Sequence, residues 1–517
     1  ANVANLLLTR ATERQLEMET RLALGASGGR LARQLLTESV VLAVAGGFVG
    51  LAITPWILRG VVVLAAKSLP RAVQTTIDTK VLFLTVAVSL ATGILFGLVP
   101  AIQASRKRQF DGLKGGRSTE GKQSKCLRNT LLICETAFSL LLVAGAGLLL
   151  RSFAQILKVD PGFRADGVLT LRVSLPDAVY SKPEQTRAFY RELLDQVQRL
   201  PGVQYAGAIS ALPLSGQGGS GTTTIDSQSV PPEDTTPEAD QRVVTPDYFR
   251  AMGISLVRGR FFKISDSDGT PPVAIVDENL AQTFWPNQDP VGKRLHSGVS
   301  GSGAQWTTVV GVVRNVRNRT LESRSRVEVY WPENQRPYSG MTLVIRASGN
   351  PMQLAPTIQR EVSAIDPDLP VYHVRTMTEV MGDSLQRRRL ALILLTAFAG
   401  LALLLASVGI YGVTSYGIAQ RQAEIGLRMA LGADRGQVLR MMIRSGMATI
   451  AIGLGLGLIL ALILTQLMSG LLFVVQASDP LALGGAALLM MTAALLAIFI
   501  PARRATKVNP MAALRYE

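Results

Sequence analysis

The chain has almost no cysteine and almost no histidine. Its two cysteines are Cys126, at the edge of an apolar stretch, and Cys134, inside one. Neither can staple a folded extracytoplasmic domain, so disulfides carry no weight in the fold. The two histidines, His296 and His373, are far apart in sequence, and no His/Cys cluster has metal-ligand spacing. The Gly-x-Ser-x-Gly elbow of serine hydrolases is missing. Charged residues make up only 17% of the 517, so the apolar 48% must be accommodated elsewhere than in one soluble core. Aromatics are also few, at 6%, so the basic segments lack the interleaved rings of a nucleic-acid surface despite a net charge of +16.

What is present is a set of long apolar stretches. They run over about 38–64, 82–103, 130–150, 390–417, 445–471 and 482–502, each long enough to span a bilayer. A further apolar stub, 1–8, reads as the tail of a membrane helix, and the chain as a fragment; it has no basic n-region or cleavage pattern of a signal peptide. Gly46-x-x-x-Gly50 and Gly453-x-x-x-Gly457 could bring helix backbones close, or could be generic membrane-helix glycines. Lys and Arg cluster in 9–35, 104–128, 418–444 and after 502, which places those four segments in the cytoplasm. Loops 66–80 and 472–481 and the long stretch 151–388 are then outside. Arg387-Arg388-Arg389 departs from the rule, but long translocated domains largely escape it and arginine can snorkel to the headgroups.

Residues 151–386 read as soluble α/β. Strands are expected at 168–175, 203–211, 272–277, 306–316, 327–331, 341–347 and 371–375, with helices at 184–200 and 351–365. The Gly-, Ser-, Thr- and Pro-rich stretch 214–240 reads as a mobile loop or subdomain junction. Asp266, Asp268, Asp277 and Glu278 are taken as surface-loop carboxylates rather than as an acid pair or a cation site. Gly116-Arg-Ser-Thr-Glu-Gly121-Lys122 approaches a phosphate-binding loop. It has Gln123 where a Ser or Thr should hold magnesium, and no preceding strand. An ATPase site in this chain is therefore not expected, and enzymatic function has no positive support.

One polar element occurs twice. Arg14-Gln-Leu-Glu17-Met-Glu-Thr-Arg21-Leu-Ala23-Leu-Gly25-Ala26 returns as Arg421-Gln-Ala-Glu424-Ile-Gly-Leu-Arg428-Met-Ala430-Leu-Gly432-Ala433. Repeats outrank local signals in choosing an architecture. Glu17 and Arg21, like Glu424 and Arg428, stand four apart and can pair on a helix. Gly25 and Gly432 suit a left-handed C-cap, and Ser27 and Asp434 suit the N-cap of a second helix. The repeat reads as helix, tight turn, helix. An amphipathic helix lying at the membrane interface is the plainer account. A preformed cytoplasmic knob for a soluble partner better explains the same small-residue corner at the same distance from a span.

These residues resemble the MacB/FtsX-like ABC transporter permeases in their duplicated form. Pro100-Ala and Pro501-Ala after the last span of each half, Thr245-Pro-Asp-Tyr-Phe-Arg-Ala-Met-Gly253, Gly259-Arg-Phe-Phe262, Val276-Asp-Glu-Asn-Leu-Ala281 and Pro290-Val-Gly-Lys293 share in the resemblance. It implies a polytopic α-helical membrane protein with a large extracytoplasmic α/β (α+β) domain. The implied organisation is a first, incomplete FtsX-like repeat at 1–104, a basic cytoplasmic linker at 105–128 and a transmembrane helix at 129–150. A MacB-like periplasmic core follows at 151–388 and a second repeat at 389–517. The first repeat would lack its first span, its outer domain and most of its second span.

By motif match, Glu17, Arg21, Ala23, Gly25 and Ala26, with Glu424, Arg428, Ala430, Gly432 and Ala433, would couple the permease to a separate ATPase dimer. Gly426 answers to Glu19, so the two elements are not equivalent. The resemblance further implies mechanotransmission to the outer domain, in efflux or extracytoplasmic release at the bacterial inner membrane. No cofactor is expected in this chain, ATP and magnesium residing on the partner. The other expected partners are the lipid bilayer and periplasmic or outer-envelope components, without nucleic acid. A non-transporting sensor or scaffold, whose outer domain binds an envelope partner, is the alternative.

Overall fold

A computed structural model of the chain describes residues 20–21, 27–65, 78–106, 120–226, 238–298, 305–322, 326–420, 422–467 and 479–506. The chain divides into two compact units, one of residues 1–155 and 388–517 and the other of Ile156–Arg387.

In the first unit the described helices are α1 (Gly28–Ala65), α2 (Thr79–Arg106) and α3 (Glu120–Ile156). They are joined there by most of α8 (Met377–Ala419), α9 (Gln422–Ala430), α10 (Arg435–Leu467) and α11 (Pro480–Ala505). Among the described residues, five stretches are long and apolar enough to cross a membrane: Gly29–Val63, Arg128–Ile156, Arg388–Ala419, Arg435–Gln466 and Pro480–Ala505. The span expected at 82–103 falls within α2. The stub expected at 1–8 and the end of the span expected at 445–471 lie outside the described residues. The near-match to a phosphate loop at 116–122 also falls largely outside them.

Lipid is as apolar as leucine, so helices in a bilayer associate by close packing rather than by leaving water. The helices of the second half show how. Leu140, Ala144 and Leu148 of α3 pack with Ala406 and Ile410 of α8, Ile450 and Ala461 of α10, and Met490 and Ala494 of α11. Gly453 and Gly457 are what let α10 approach α3. A Cβ at Gly453 would stand 2.9 Å from Thr136 Cβ, and one at Gly457 would stand 2.9 Å from the Ala137 carbonyl oxygen. Gly46 and Gly50 have open space around them, so at that pair the generic reading holds. In the first half the close approach is made by Gly93 and Gly97, against Ala43 and Ser39 of α1.

The second unit is the extracytoplasmic α/β domain. Its first part is built from β1 (Val168–Ser174), α4 (Pro183–Gln198), β2 (Val203–Ile209), β10 (Gly340–Ala347), α7 (Ala355–Ile365) and β11 (Val371–Thr376). The strand order β11-β1-β10-β2, all antiparallel, is a split β-α-β arrangement of ferredoxin-like topology. Phe189, Leu193 and Val197 of α4 and Ile358 and Val362 of α7 recur at helical spacing and cover Leu169, Leu171, Leu343 and Ile345 of the sheet. β1 and β11 pair through Leu169 with Thr376 and Thr170 with Arg375. The strand that enters the domain and the strand that leaves it for α8 are therefore neighbours.

Between β2 and β10 the chain inserts a second lobe. It contains β3 (Gly219–Ile225), β4 (Glu238–Val244), α5 (Tyr248–Met252), β5 (Leu256–Gly259), β6 (Val273–Asp277), α6 (Glu278–Phe284), β7 (Arg294–Ser297), β8 (Thr307–Val313) and β9 (Glu328–Pro332). The pairings β4-β3-β7-β8-β6-β9, with β9 returning to β4, close a six-strand ring. The stretch expected as a loop at 214–240 is thus partly strand. Gly219, Ser220 and Gly221 are loop-forming residues by composition, yet they pair with Gln241, Asp240 and Ala239 of β4, and the strand is held further along by Thr223–Ile225, which pair with β7.

Candidate functional site

The second copy of the repeated element folds as a fixed corner. At the end of α9, Gly432 adopts φ +98°, in the left-handed region that a side chain disfavours. The Gly432 N–H donates to the Met429 carbonyl at 3.2 Å and the Ala433 N–H donates to the Arg428 carbonyl at 3.0 Å. That pair of bonds is a Schellman motif with glycine at its turning point. Two residues after Gly432, Asp434 caps α10, its Oδ2 accepting from the Gly436 N–H at 3.0 Å. Both caps are those expected from Gly432 and Asp434. With a single residue between them, the angle between the two helices has little freedom.

Packing fixes one side of the corner and leaves the other free. Ile425 of α9 and Val438 of α10 are buried together with Ile418 of α8 and Ala502 and Ala505 of α11. Leu427 is 54% exposed and Leu431 79% exposed, against 5% for Ile425. They stand four apart, so the outward side of the corner carries two leucines one helical turn apart. Arg428 lies beside them, exposed, with its NH1 2.9 Å from Met441 Sδ. Glu424 and Ala430 are on α9, but their side chains, and hence the expected Glu424–Arg428 pair, lie outside the described residues.

Of the first copy, Glu17, Ala23, Gly25 and Ala26 lie outside the described residues. Arg21 donates to Gln34 Oε1 at 3.2 Å. α1 begins directly after Ser27, the expected cap position, whose carbonyl accepts from the Arg30 N–H at 2.9 Å.

The outer domain holds a charged cluster that sequence reasoning missed. In the parallel pair β4/β9, Asp240 stands opposite Glu328 and Arg242 opposite Tyr330. Strand alternation puts all four on one face, and all are buried. Arg242 Nε lies 3.2 Å from Glu328 Oε1 and its NH2 lies 3.7 Å from Asp240 Oδ2. Arg242 Nε and Glu328 Oε1 make no well-aligned hydrogen bond, so the first of these contacts is Coulombic. Glu328 Oε2 accepts from the Tyr330 hydroxyl and from Asn318 Nδ2, both at 2.6 Å. Burial pushes the Glu328 carboxyl up, against the pull of Arg242.

Two of the carboxylates expected on surface loops are buried. Asp277 is fully enclosed at the end of β6, and its Oδ1 accepts from the Leu280 N–H at 2.9 Å and the Glu328 N–H at 3.0 Å. It caps α6 and clamps β9 at once. Burial raises it to about 8, so at neutral pH it is held largely protonated. Asp266 is buried against Arg260, with contacts of 2.7 and 2.9 Å, and this pair and the Lys263 N–H hold its carboxyl below the usual range despite desolvation. Asp268 does stay on the surface, 3.1 Å from Arg187. Spacing gave no hint that Asp277 is enclosed, because the strand partner that covers it is about fifty residues away. Among the described residues no three His, Cys, Asp or Glu side chains are grouped as a metal would need.

Two family models divide the chain between them. An FtsX-like permease C-terminal model matches residues 1–108 and again 396–510, and a MacB-like periplasmic core model matches 136–364. The chain belongs to the MacB-like, FtsX-type ABC permeases. It is a multi-pass inner-membrane protein with an extracytoplasmic α/β domain, as expected from the repeats and the spans.

The permease is 25% identical over 288 residues to a macrolide export ATP-binding/permease protein MacB of Chromobacterium violaceum. That match covers 52% of this chain and 42% of the relative, so the permease spans less than half the length of this relative. It is 23% identical over 281 residues to the ABC transporter permease YknZ of Bacillus subtilis, covering 52% of this chain and 68% of YknZ. The periplasmic region of MacB from Actinobacillus actinomycetemcomitans aligns with 44% of this chain and 95% of its own at 14% identity. Its TM-score of 0.30 carries no weight of its own.

Proposed function

We propose that this permease is the membrane subunit of an ABC-type efflux or release system, driven by an ATPase on a separate chain. The observation that carries the reading is the α9–α10 corner, rigid through Gly432 and Asp434 and presenting Leu427 and Leu431 outward. Exposed leucines on a cytoplasmic corner cost solubility unless a partner covers them. Glu17 to Ala26 repeats the pattern, with Leu24 answering to Leu431 but Thr20 to Leu427, so one polypeptide carries two non-equivalent copies of the element for the two halves of an ATPase dimer. ATP and magnesium are bound by the partner.

Closure of the dimer pushes on the corners, and the spans pass the displacement to the outer domain. Support for this mechanotransmission comes from α8, which is helical without a break from Met377 to Ala419, two residues before α9. The MacB relatives are named as macrolide export ATP-binding/permease proteins, which joins ATP binding to export.

The test is co-expression with the ATPase. Leu431→Asp and Gly432→Arg are expected to weaken copurification and to uncouple ATP turnover from the permease, while Leu431→Asp leaves the melting temperature of the permease unchanged. Wild-type copurification and turnover in both variants would overturn the assignment.

A further inference from the structure

Within the outer domain, the segment between α3 and β1, Arg346 of β10 and the first turns of α8 line an open cavity of about 620 Å³. Phe163, Arg164, Asp166, Arg346, Thr378 and Met381 line it. All of these belong to the second unit. The lining is apolar on Phe163 and Met381 and carries two guanidinium groups.

Arg346 is fixed. Its Nε donates to the Ala251 carbonyl at 2.8 Å, NH1 to that of Asp166 at 3.2 Å and NH2 to that of Arg164 at 3.0 Å. Carbonyl dipoles anchor this guanidinium but leave its whole charge in place. Its pKa is lowered by burial and then by the Arg164 charge, which Asp166 only partly offsets. As a clamp on three carbonyls Arg346 needs no ligand, but that role leaves Arg164 unexplained. Arg164 is exposed, its stem lies over Gly253, and it forms no ion pair among the described residues.

The other nearby carboxylates are engaged elsewhere. Asp383 pairs with Arg375 at 3.2 Å and Asp160 with Arg314 at 3.4 Å. Glu379 accepts from the Thr376 N–H while Thr376 Oγ1 accepts from the Glu379 N–H, a capping box that starts α8. The Glu379 carboxylate answers the positive end of that helix, so the positive charge at the cavity is that of the two arginines.

We infer that this cavity binds an amphiphilic anion, a phosphate or carboxylate head held by Arg164 and Arg346 with a short apolar tail on Phe163 and Met381. The exposed Arg164 guanidinium suits such a head because its parallel N–H donors match two oxygens at once, while Arg346, its nitrogens already on carbonyls, contributes chiefly its charge. The occupant touches the first turns of α8. The inference does not rest on ATPase coupling, so either can fail alone.

The probe is octyl phosphate, titrated calorimetrically into the full permease in an uncharged detergent. Saturable binding is expected, with none for octyl glucoside, which has the same tail without the charge. Loss of one charge-assisted contact should weaken binding about tenfold in Arg164→Gln, and Arg164→Glu, which sets a like charge against the head, should weaken it further. Asp166→Asn should tighten it. Nanodiscs of phosphatidylcholine alone and with added phosphatidylglycerol separate two sources of the head. Suppression of octyl phosphate binding by phosphatidylglycerol would assign the site to a lipid headgroup, and binding unaffected by it would assign it to a soluble amphiphile. Absence of saturable binding at millimolar octyl phosphate, or equal affinity in wild type and both Arg164 variants, would overturn the inference.

Discussion

Arg242 Nε lies 3.2 Å from Glu328 Oε1 in the interior of the outer domain, and both side chains are shut off from water. Asp240 stands on the other side of the same guanidinium, and Arg319 reaches Asp240 from the surface at 3.4 Å. Arg242 is thus the buried positive charge shared by two buried carboxylates. Arg242→Ala would leave the Glu328 carboxyl without its cationic partner and Asp240 with only the surface Arg319, a change expected to cost about 3–5 kcal/mol. Thermal unfolding of the full permease should show the outer-domain transition shifted strongly downward. A shift no larger than that of exposed Arg258→Ala would show that the pair contributes little.

Asp277 gives this domain a dependence on pH. Its folded pKa of about 8 is far above the roughly 4 of an unfolded aspartate, so between those values the folded state holds a proton that the unfolded state has lost. Stability contributed at this site is therefore present in full below about pH 4, falls as pH rises, and is lost above about pH 8. Asp277→Asn keeps an oxygen for the Leu280 and Glu328 amides and cannot ionise. The variant should gain stability relative to wild type as pH rises from 5 to 8, read as a shrinking slope of melting temperature against pH. Parallel slopes would remove Asp277 as the cause.

These two clusters mark the boundary of what the chain spells out in order. The spans, the corner at Gly432 and the strands of the ferredoxin-like part are local patterns: apolar runs, a glycine after a helix, alternation along one segment. Each was legible because its cause lies within about twenty residues. The enclosure of Asp277 depends on Glu328, and that of Arg242 on the parallel pairing of β4 with β9, contacts between segments far apart in sequence. The strand at Gly219–Ile225 was hidden for the same reason, since its partners outweigh its loop-like composition. At the candidate site, the corner was legible and its exposed leucines were not. Only the burial of Ile425 against Val438 shows which side of α9 is left outward.

The two glycine pairs in the spans make opposite predictions. Gly453 and Gly457 face α3 at contact distance, whereas Gly455, between them, has open space. Gly457→Leu must displace the Ala137 backbone, and overpacking of that kind is expected to cost about 1–3 kcal/mol or more. Gly455→Leu and Gly46→Leu should be tolerated. Thermal aggregation in detergent would read the difference, and equal midpoints for Gly457→Leu and Gly455→Leu would mean that α10 does not depend on this approach to α3.

Asp479 serves two elements at once. Its Oδ1 accepts from the Leu481 N–H at 3.0 Å, capping α11, and the same oxygen pairs with Arg151 near the end of α3. The Asp479 side chain is buried and Arg151 is only partly exposed, so the pair is better shielded than a surface bridge. Asp479→Asn keeps the cap and removes the charge. Asp479→Ala removes both, and loss of the cap alone is worth about 1 kcal/mol. Melting temperature should therefore fall in the order wild type, Asp479→Asn, Asp479→Ala. Arg151→Gln should match Asp479→Asn, and the double variant Arg151→Gln/Asp479→Asn should cost no more than either single change, because the two side chains share one interaction. Additive losses in the double variant would mean that Arg151 and Asp479 stabilise the helices separately.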